Sequence, residues 1–277
     1  MKNVWTRSFS GLVFTLIVLA ALLINRWVFA AFEVFVLVTM MLEFYKMTMG
    51  SHYLYSRSFA ILTGVTLFGL IFMVSAWPYQ FSDKIVAISL IPLLAVMGGS
   101  LYTKDKGEFV LFANLYTGLL YIALPVALSN MLVFHADGSF DGKLMLAFFI
   151  LIWASDCGAY TFGLLLGRNG RKLFPSISPK KSWAGFWGGM LSAVGVAVGL
   201  HWTVLLPYQI IHCVVLAVLM TIAGVYGDLF ESQWKRVCEI KDSGSIIPGH
   251  GGMMDRFDSS IFAMPVGAIY LILAGVL

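Results

Sequence analysis

The chain has 277 residues, of which 60% are apolar and only 12% charged. A water-soluble domain carries about 25% charged residues, so this chain holds about half the charge needed to cover a surface facing water. Its mean hydropathy of +0.88 agrees, and together these values exclude a soluble fold, a disordered chain and a large domain outside a membrane.

Cut at charged or turn-rich breaks, the sequence yields nine apolar stretches, at 10–24, 28–45, 58–77, 84–101, 109–134, 144–167, 185–206, 209–230 and 259–277. A membrane helix takes about 20 residues, so each is read as a span. The first is short and follows Lys2 and Arg7, as a signal peptide cleaved after Ala30 would. The apolar run resumes through Phe44, however, which favours a retained helical hairpin turning at Asn25 and Arg26. The expected fold is an all-α, polytopic integral membrane bundle of about nine helices. Residues 1–140 supply the first five spans, and residues 141–277 form a C-terminal catalytic region with cytosolic loops at 167–185 and 228–258.

Lysine and arginine gather on the cytosolic side of membrane proteins, which sets the orientation. With the N-terminus inside, the inner segments hold Lys2, Arg7, Lys46, Arg57, Lys104, Lys106, Arg168, Arg171, Lys172, Lys180, Lys181, Lys235, Arg236, Lys241 and Arg256. The outer segments hold only Arg26, Lys84 and Lys143. A missing span would invert every later loop and destroy this split, so the net charge of +4 is read as topology, with no nucleic-acid partner. The three cysteines, Cys157, Cys213 and Cys238, are widely spaced without a CxxC, so neither a disulfide framework nor a zinc site is indicated.

Two cytosolic loops carry the residues suited to chemistry. The segment 167–185 has five basic residues and no acid, and 228–258 holds six of the fourteen acids, Asp228, Glu231, Glu239, Asp242, Asp255 and Asp258. Asp228 ends the eighth span, with Glu231, Ser232 and Lys235 on its face at helical spacing. A carboxylate at that depth is costly unless it is paired or binds a cation. His250-Gly251-Gly252 leads through Asp255, Arg256 and Asp258 into the ninth span. Those glycines let backbone approach a ligand, although a tight turn with a helix cap accounts for them equally well.

Two carboxylates beside Lys and Arg suit Mg²⁺ and phosphate, because Mg²⁺ takes one or two carboxylates and leaves its other positions to water and phosphate oxygens. No GxxxxGK[ST] is present, which excludes a P-loop. Asp156 is a lone acid inside the sixth span, a functional candidate by default, though an interhelical hydrogen bond would also explain it. Glu33 and Glu43 are weaker candidates, since both lie near ends of the second span. Ser178-Pro179-Lys180-Lys181-Ser182-Trp183 suits an anionic headgroup at the interface.

The run from Ser232 through Lys235, Arg236, Lys241, Asp242, Gly244, Ile247, Pro248, His250, Gly251, Gly252, Met253, Asp255, Arg256 and Phe257 to Asp258 closely resembles the signature of the phosphatidate cytidylyltransferases, also called CDP-diacylglycerol synthases. Trp234 stands where that family usually has an aliphatic residue. The resemblance extends to a DxxAY-type motif at Asp156–Tyr160, an SPKK-type motif at Ser178–Lys181 and a GDLxES-type motif at Gly227–Ser232. Ala184 replaces the family's frequent Glu or Gln, and the first 140 residues match only as apolar spans.

The resemblance implies transfer of the cytidylyl group of CTP to phosphatidate, giving CDP-diacylglycerol and pyrophosphate for phospholipid biosynthesis, with Mg²⁺ required and a second, monovalent cation compatible with it. It implies Asp228 and Asp255 as the metal centre, with Lys235, Lys241, His250 and Arg256 as further catalytic residues. Asp156, Ser178, Lys180, Lys181, Ser182, Ser232, Arg236, Asp242, Gly251, Gly252 and Asp258 are the expected substrate-binding residues. It further implies a homodimer among membrane lipids in the cytoplasmic (inner) membrane, with the site on the cytosolic face. The competing readings are a related CTP-using lipid enzyme, such as a polyprenol kinase or an archaeal lipid cytidylyltransferase, and a cation or proton transporter.

Overall fold

The computed structural model describes residues 2–51, 53–102, 109, 111–168, 170–249 and 251–277, with side chains from Ser8 onward. Each predicted span corresponds to a helical stretch. We number them α1 (Lys2–Leu23), α2 (Arg26–Met49), α3 (Leu54–Ala76), α4 (Asp83–Tyr102), α5 (Phe112–Leu132), α6 (Lys143–Leu165), α7 (Trp183–His201), α8 (Ile210–Val237) and α9 (Met254–Leu273). Among the described residues, α2 to α9 are long and apolar enough to cross a membrane, and Ser8–Leu23 of α1 is apolar but shorter. The fold is an all-α polytopic membrane bundle.

The chain forms two compact units, residues 1–141 with 240–256, and residues 142–239 with 257–277. The Gly-rich segment before α9 therefore packs with the N-terminal helices.

In the first unit, the turn expected at Asn25 is a helix cap: its side chain accepts from the amides of Trp27 and Val28 at 2.9 and 3.0 Å, satisfying amides that have no partner within the helix. The core is aromatic, with Phe29, Phe44, Tyr45 and Phe68 fully buried, and the Tyr45 hydroxyl donates to the Leu115 carbonyl at 2.9 Å. Within α5, residues Leu119–Ala123 widen into a π turn just before Pro125, which has no amide to continue the regular ladder.

In the second unit, α6 and α7 pack through small residues, the usual solution where lipid offers no hydrophobic drive to associate. A Cβ on Gly189 would lie 2.7 Å from the Ser155 carbonyl oxygen, and one on Gly185 would lie 2.8 Å from that of Ala159. Between these helices the basic loop folds into an antiparallel hairpin of β1 (Lys172–Phe174) and β2 (Ser178–Ser182), pairing Lys172 with Ser182 and Phe174 with Ser178. The sequence predicts only a cytosolic loop at 167–185. Lys172 Nζ donates to the carbonyls of Gly167 and Arg168 at 3.1 and 3.2 Å, a cation at the carbonyl end of α6 where the helix dipole favours it.

Candidate active site

The second unit holds a cavity of about 360 Å³ lined by Asp156 and Tyr160 of α6, Lys180 and Lys181 of β2, Ser182, Phe186 of α7, Asp228 of α8 and Ser259 of α9. Each side chain arrives by a local rule. Ser182 Oγ accepts from the Gly185 amide at 3.1 Å and so caps α7, which fixes where the hairpin ends and places both lysines at the rim. Asp228 lies near the end of α8, and its Oδ2 meets Lys181 Nζ at 2.6 Å. Its Oδ1 accepts from Ser232 Oγ at 3.2 Å, one helical turn on.

Further along α8, Lys235 Nζ donates to Glu231 Oε2 at 2.9 Å, and the Glu231 side chain is fully buried. Arg236 Nε donates to the Ile177 carbonyl at 3.4 Å, fastening the hairpin turn to the helix. Asp258 of α9 lies within electrostatic reach of Asp228, Glu231 and Asp156. Lys181 and Lys235 partly offset this negative charge through their contacts with Asp228 and Glu231. Ser178 is half-buried in β2 and does not line the cavity.

In the first unit, the segment before α9 encloses a second cavity of about 430 Å³, lined by Lys241, Asp242, Gly251 and Arg256 together with Gly244, Ser245, Ile247 and Gly249. Gly249 and Gly251 have φ of 76° and 88°, backbone that side-chain-bearing residues rarely adopt, and Ile247 N donates to Gly251 O at 3.1 Å. Two cations and exposed backbone in one hollow suit phosphate oxygens. Asp255 is half-buried and does different work: its Oδ2 accepts from the amides of Ser243 and Gly252 and from Ser243 Oγ, at 3.0, 2.8 and 3.0 Å. His250 lies outside the described residues.

The cytidylyltransferase family matches the chain over residues 5–274. The chain belongs to this family. It is 33% identical over 220 residues to the phosphatidate cytidylyltransferase of Bacillus subtilis strain 168, covering 77% of this chain and 78% of that protein. To the phosphatidate cytidylyltransferase of Staphylococcus epidermidis it is 34% identical over 199 residues, covering 70% of this chain and 74% of the relative. The corresponding protein of Staphylococcus haemolyticus gives the same identity and coverage.

Against the expected site of this cytidylyltransferase, the geometry sorts the residues clearly. Asp156, Lys180, Lys181, Ser182 and Asp228 share the first cavity, with Ser232 bonded to Asp228. Lys241, Asp242, Gly251 and Arg256 share the second, and the Gly252 amide is held by Asp255. Asp228 and Asp255 belong to different units. Among the described residues no three His, Cys, Asp or Glu side chains are grouped to hold a metal. The donor set nonetheless fits a hard cation such as Mg²⁺, which needs only one or two carboxylates when phosphates complete its shell. Asp228 supplies one, and Asp258 of the same unit lies within electrostatic reach of it.

The sequence makes Glu43 only a weak candidate and gives no motif signal for Ser243. Both bond to the segment before α9: Glu43 accepts from the amides of Met253 and Met254 at 3.0 and 2.9 Å. The only local signal was an acid in an apolar span, and its partners lie some 210 residues away in the chain.

Proposed function

We infer that this chain transfers the cytidylyl group of CTP to phosphatidate, forming CDP-diacylglycerol and releasing pyrophosphate. The observation that carries this reading is the Lys181–Asp228 contact of 2.6 Å, which joins the SPKK-type motif of the hairpin to the GDLxES-type motif of α8 at one cavity. The phosphate of phosphatidate is already an anionic oxygen nucleophile, so the residues need not abstract a proton. An oxygen of that phosphate attacks the α-phosphorus of CTP, and the bond to the β-phosphate oxygen breaks to release pyrophosphate.

The barrier is largely the approach of two polyanions, and fixed positive charge lowers it. Lys180 and Lys181 supply that charge in the first cavity, whose Leu173, Val225 and Phe186 walls suit a lipid ester. Lys241 and Arg256 supply it in the second. Asp228 would hold Mg²⁺, with Asp258 a further acid within its electrostatic reach. When bound, the metal screens charge on the transferring phosphate and the departing pyrophosphate. Asp255 is the second carboxylate that the family resemblance implies, and the three donors it accepts from engage only its Oδ2.

The split of basic residues between alternate connections supports a cytosolic N-terminus and a cytosolic site. The family resemblance supports a homodimer in the cytoplasmic (inner) membrane. The test is Asp228→Asn, which preserves shape while removing the charge. Expected is loss of CDP-diacylglycerol formation by at least about 100-fold, with unchanged membrane insertion and thermal unfolding. Activity within a few-fold of the parent would reject Asp228 as the metal anchor.

A further inference from the structure

The sequence motifs all lie beyond residue 150, yet one side chain of the N-terminal helices reaches the signature segment. Glu43 of α2 accepts hydrogen bonds from the amides of Met253 and Met254 at 3.0 and 2.9 Å. These amides open α9, where the first-turn N–H groups have no partner within the helix and the dipole favours negative charge. Its Oε2 also lies 3.3 Å from Ser243 Oγ, which sits 3.0 Å from Asp255 Oδ2, so two carboxylates share one hydroxyl. The segment closes tightly on this carboxylate: a Cβ built on Gly252 would lie 2.6 and 2.7 Å from its two oxygens, and one on Gly244 would collide with it. Ser243, Gly252, Met253 and Met254 are all buried.

We propose that Glu43 is a positioning residue for cytidylyl transfer: it caps α9 from another helix and so holds the loop that presents Lys241 and Arg256 to CTP. This rests on the proposed function. A carboxylate is needed because both oxygens face donors. In Glu43→Gln one of them becomes an NH₂ group, which cannot accept from the amide or hydroxyl it meets.

The test compares the parent, Glu43→Gln and Glu43→Ala with Glu33→Gln, a buried acid on the same helix. Hydrogen exchange followed by mass spectrometry reads the amides of residues 243–256, and initial rates give KM for each substrate. Expected for Glu43→Gln is faster exchange confined to 243–256 and a KM for CTP raised about tenfold, with KM for phosphatidate unchanged. Glu43→Ala goes further in the same direction, and Glu33→Gln matches the parent in both. Unaltered exchange over 243–256, or an equal rise in both KM values, would overturn the proposal. If the parent transfers no cytidylyl group, the proposed function fails, while the exchange comparison still decides whether Glu43 holds the loop.

Discussion

The family resemblance makes Lys235 a catalytic residue, and its ammonium lies 2.9 Å from a carboxylate that is fully buried, with only 13% of its own side chain exposed. Removing the cation by Lys235→Met takes the counter-charge from Glu231, whose side chain is fully buried. An exposed pair at the same spacing is worth about 0.2–1 kcal/mol, whereas breaking a buried one by removing a single partner costs about 3–5 kcal/mol. With Glu231 at zero exposure the second regime applies, so a loss of about 3 kcal/mol is expected. The double variant Glu231→Gln/Lys235→Met removes the stranded charge and is expected to recover most of it. Denaturant titration in detergent, followed by tryptophan fluorescence, measures all four corners of the cycle, with Lys84→Met as an exposed control. Turnover of the double variant then separates two roles: recovered activity makes Lys235 a structural partner, and continued loss assigns it to phosphate. A Lys235→Met protein as stable as the Lys84→Met control would refute the reasoning.

Two glycines of α7 test the packing, because they differ in what surrounds them. Gly189→Ala is expected to destabilise by about 1–3 kcal/mol, since its Cβ would press on the Ser155 carbonyl, whereas Gly195, with nothing within 4 Å, should gain about 0.5–1 kcal/mol as alanine; thermal unfolding of both variants decides. Cys238 follows α8, and burial pushes its thiol up, so its reactive thiolate grows as pH rises above the ordinary cysteine range. In a Cys157→Ala/Cys213→Ala background, an impermeant maleimide at pH 9 should label it in inverted vesicles and not in right-side-out ones; the reverse pattern would contradict the proposed orientation. Chelation with EDTA should abolish turnover, and added Mg²⁺ should restore it.

The nine helical stretches were legible because lipid leaves so little choice: backbone groups must bond within the helix, and charge marks where each helix stops. Asn25 illustrates this, since one polar residue between two apolar runs is both the predicted turn and the observed cap. The hairpin at 172–182 was not legible. Its short strands lack alternation, and it is held by Ser182 capping α7 and Arg236 reaching the Ile177 carbonyl, contacts that no local pattern encodes. The site was legible in the identity of its residues and less so in their partners. Lys180, Lys181 and Asp228 share a cavity, but spacing alone does not show that Asp255 accepts three hydrogen bonds from its own loop or that Asp258 lies within electrostatic reach of Asp228. Residues 240–256 joining the N-terminal helices was equally hidden, because it depends on Glu43 meeting amides distant in sequence.

The central claim is that the α-phosphate of CTP ends on the lipid. Detergent-purified protein is incubated with phosphatidate, Mg²⁺ and CTP labelled at either the α- or the γ-phosphate, and the lipid is extracted. Label from the α-position in the lipid fraction, with one pyrophosphate released for each, is the predicted result. Label reaching lipid from the γ-position instead, as a lipid kinase would give, or from neither position, would contradict the account.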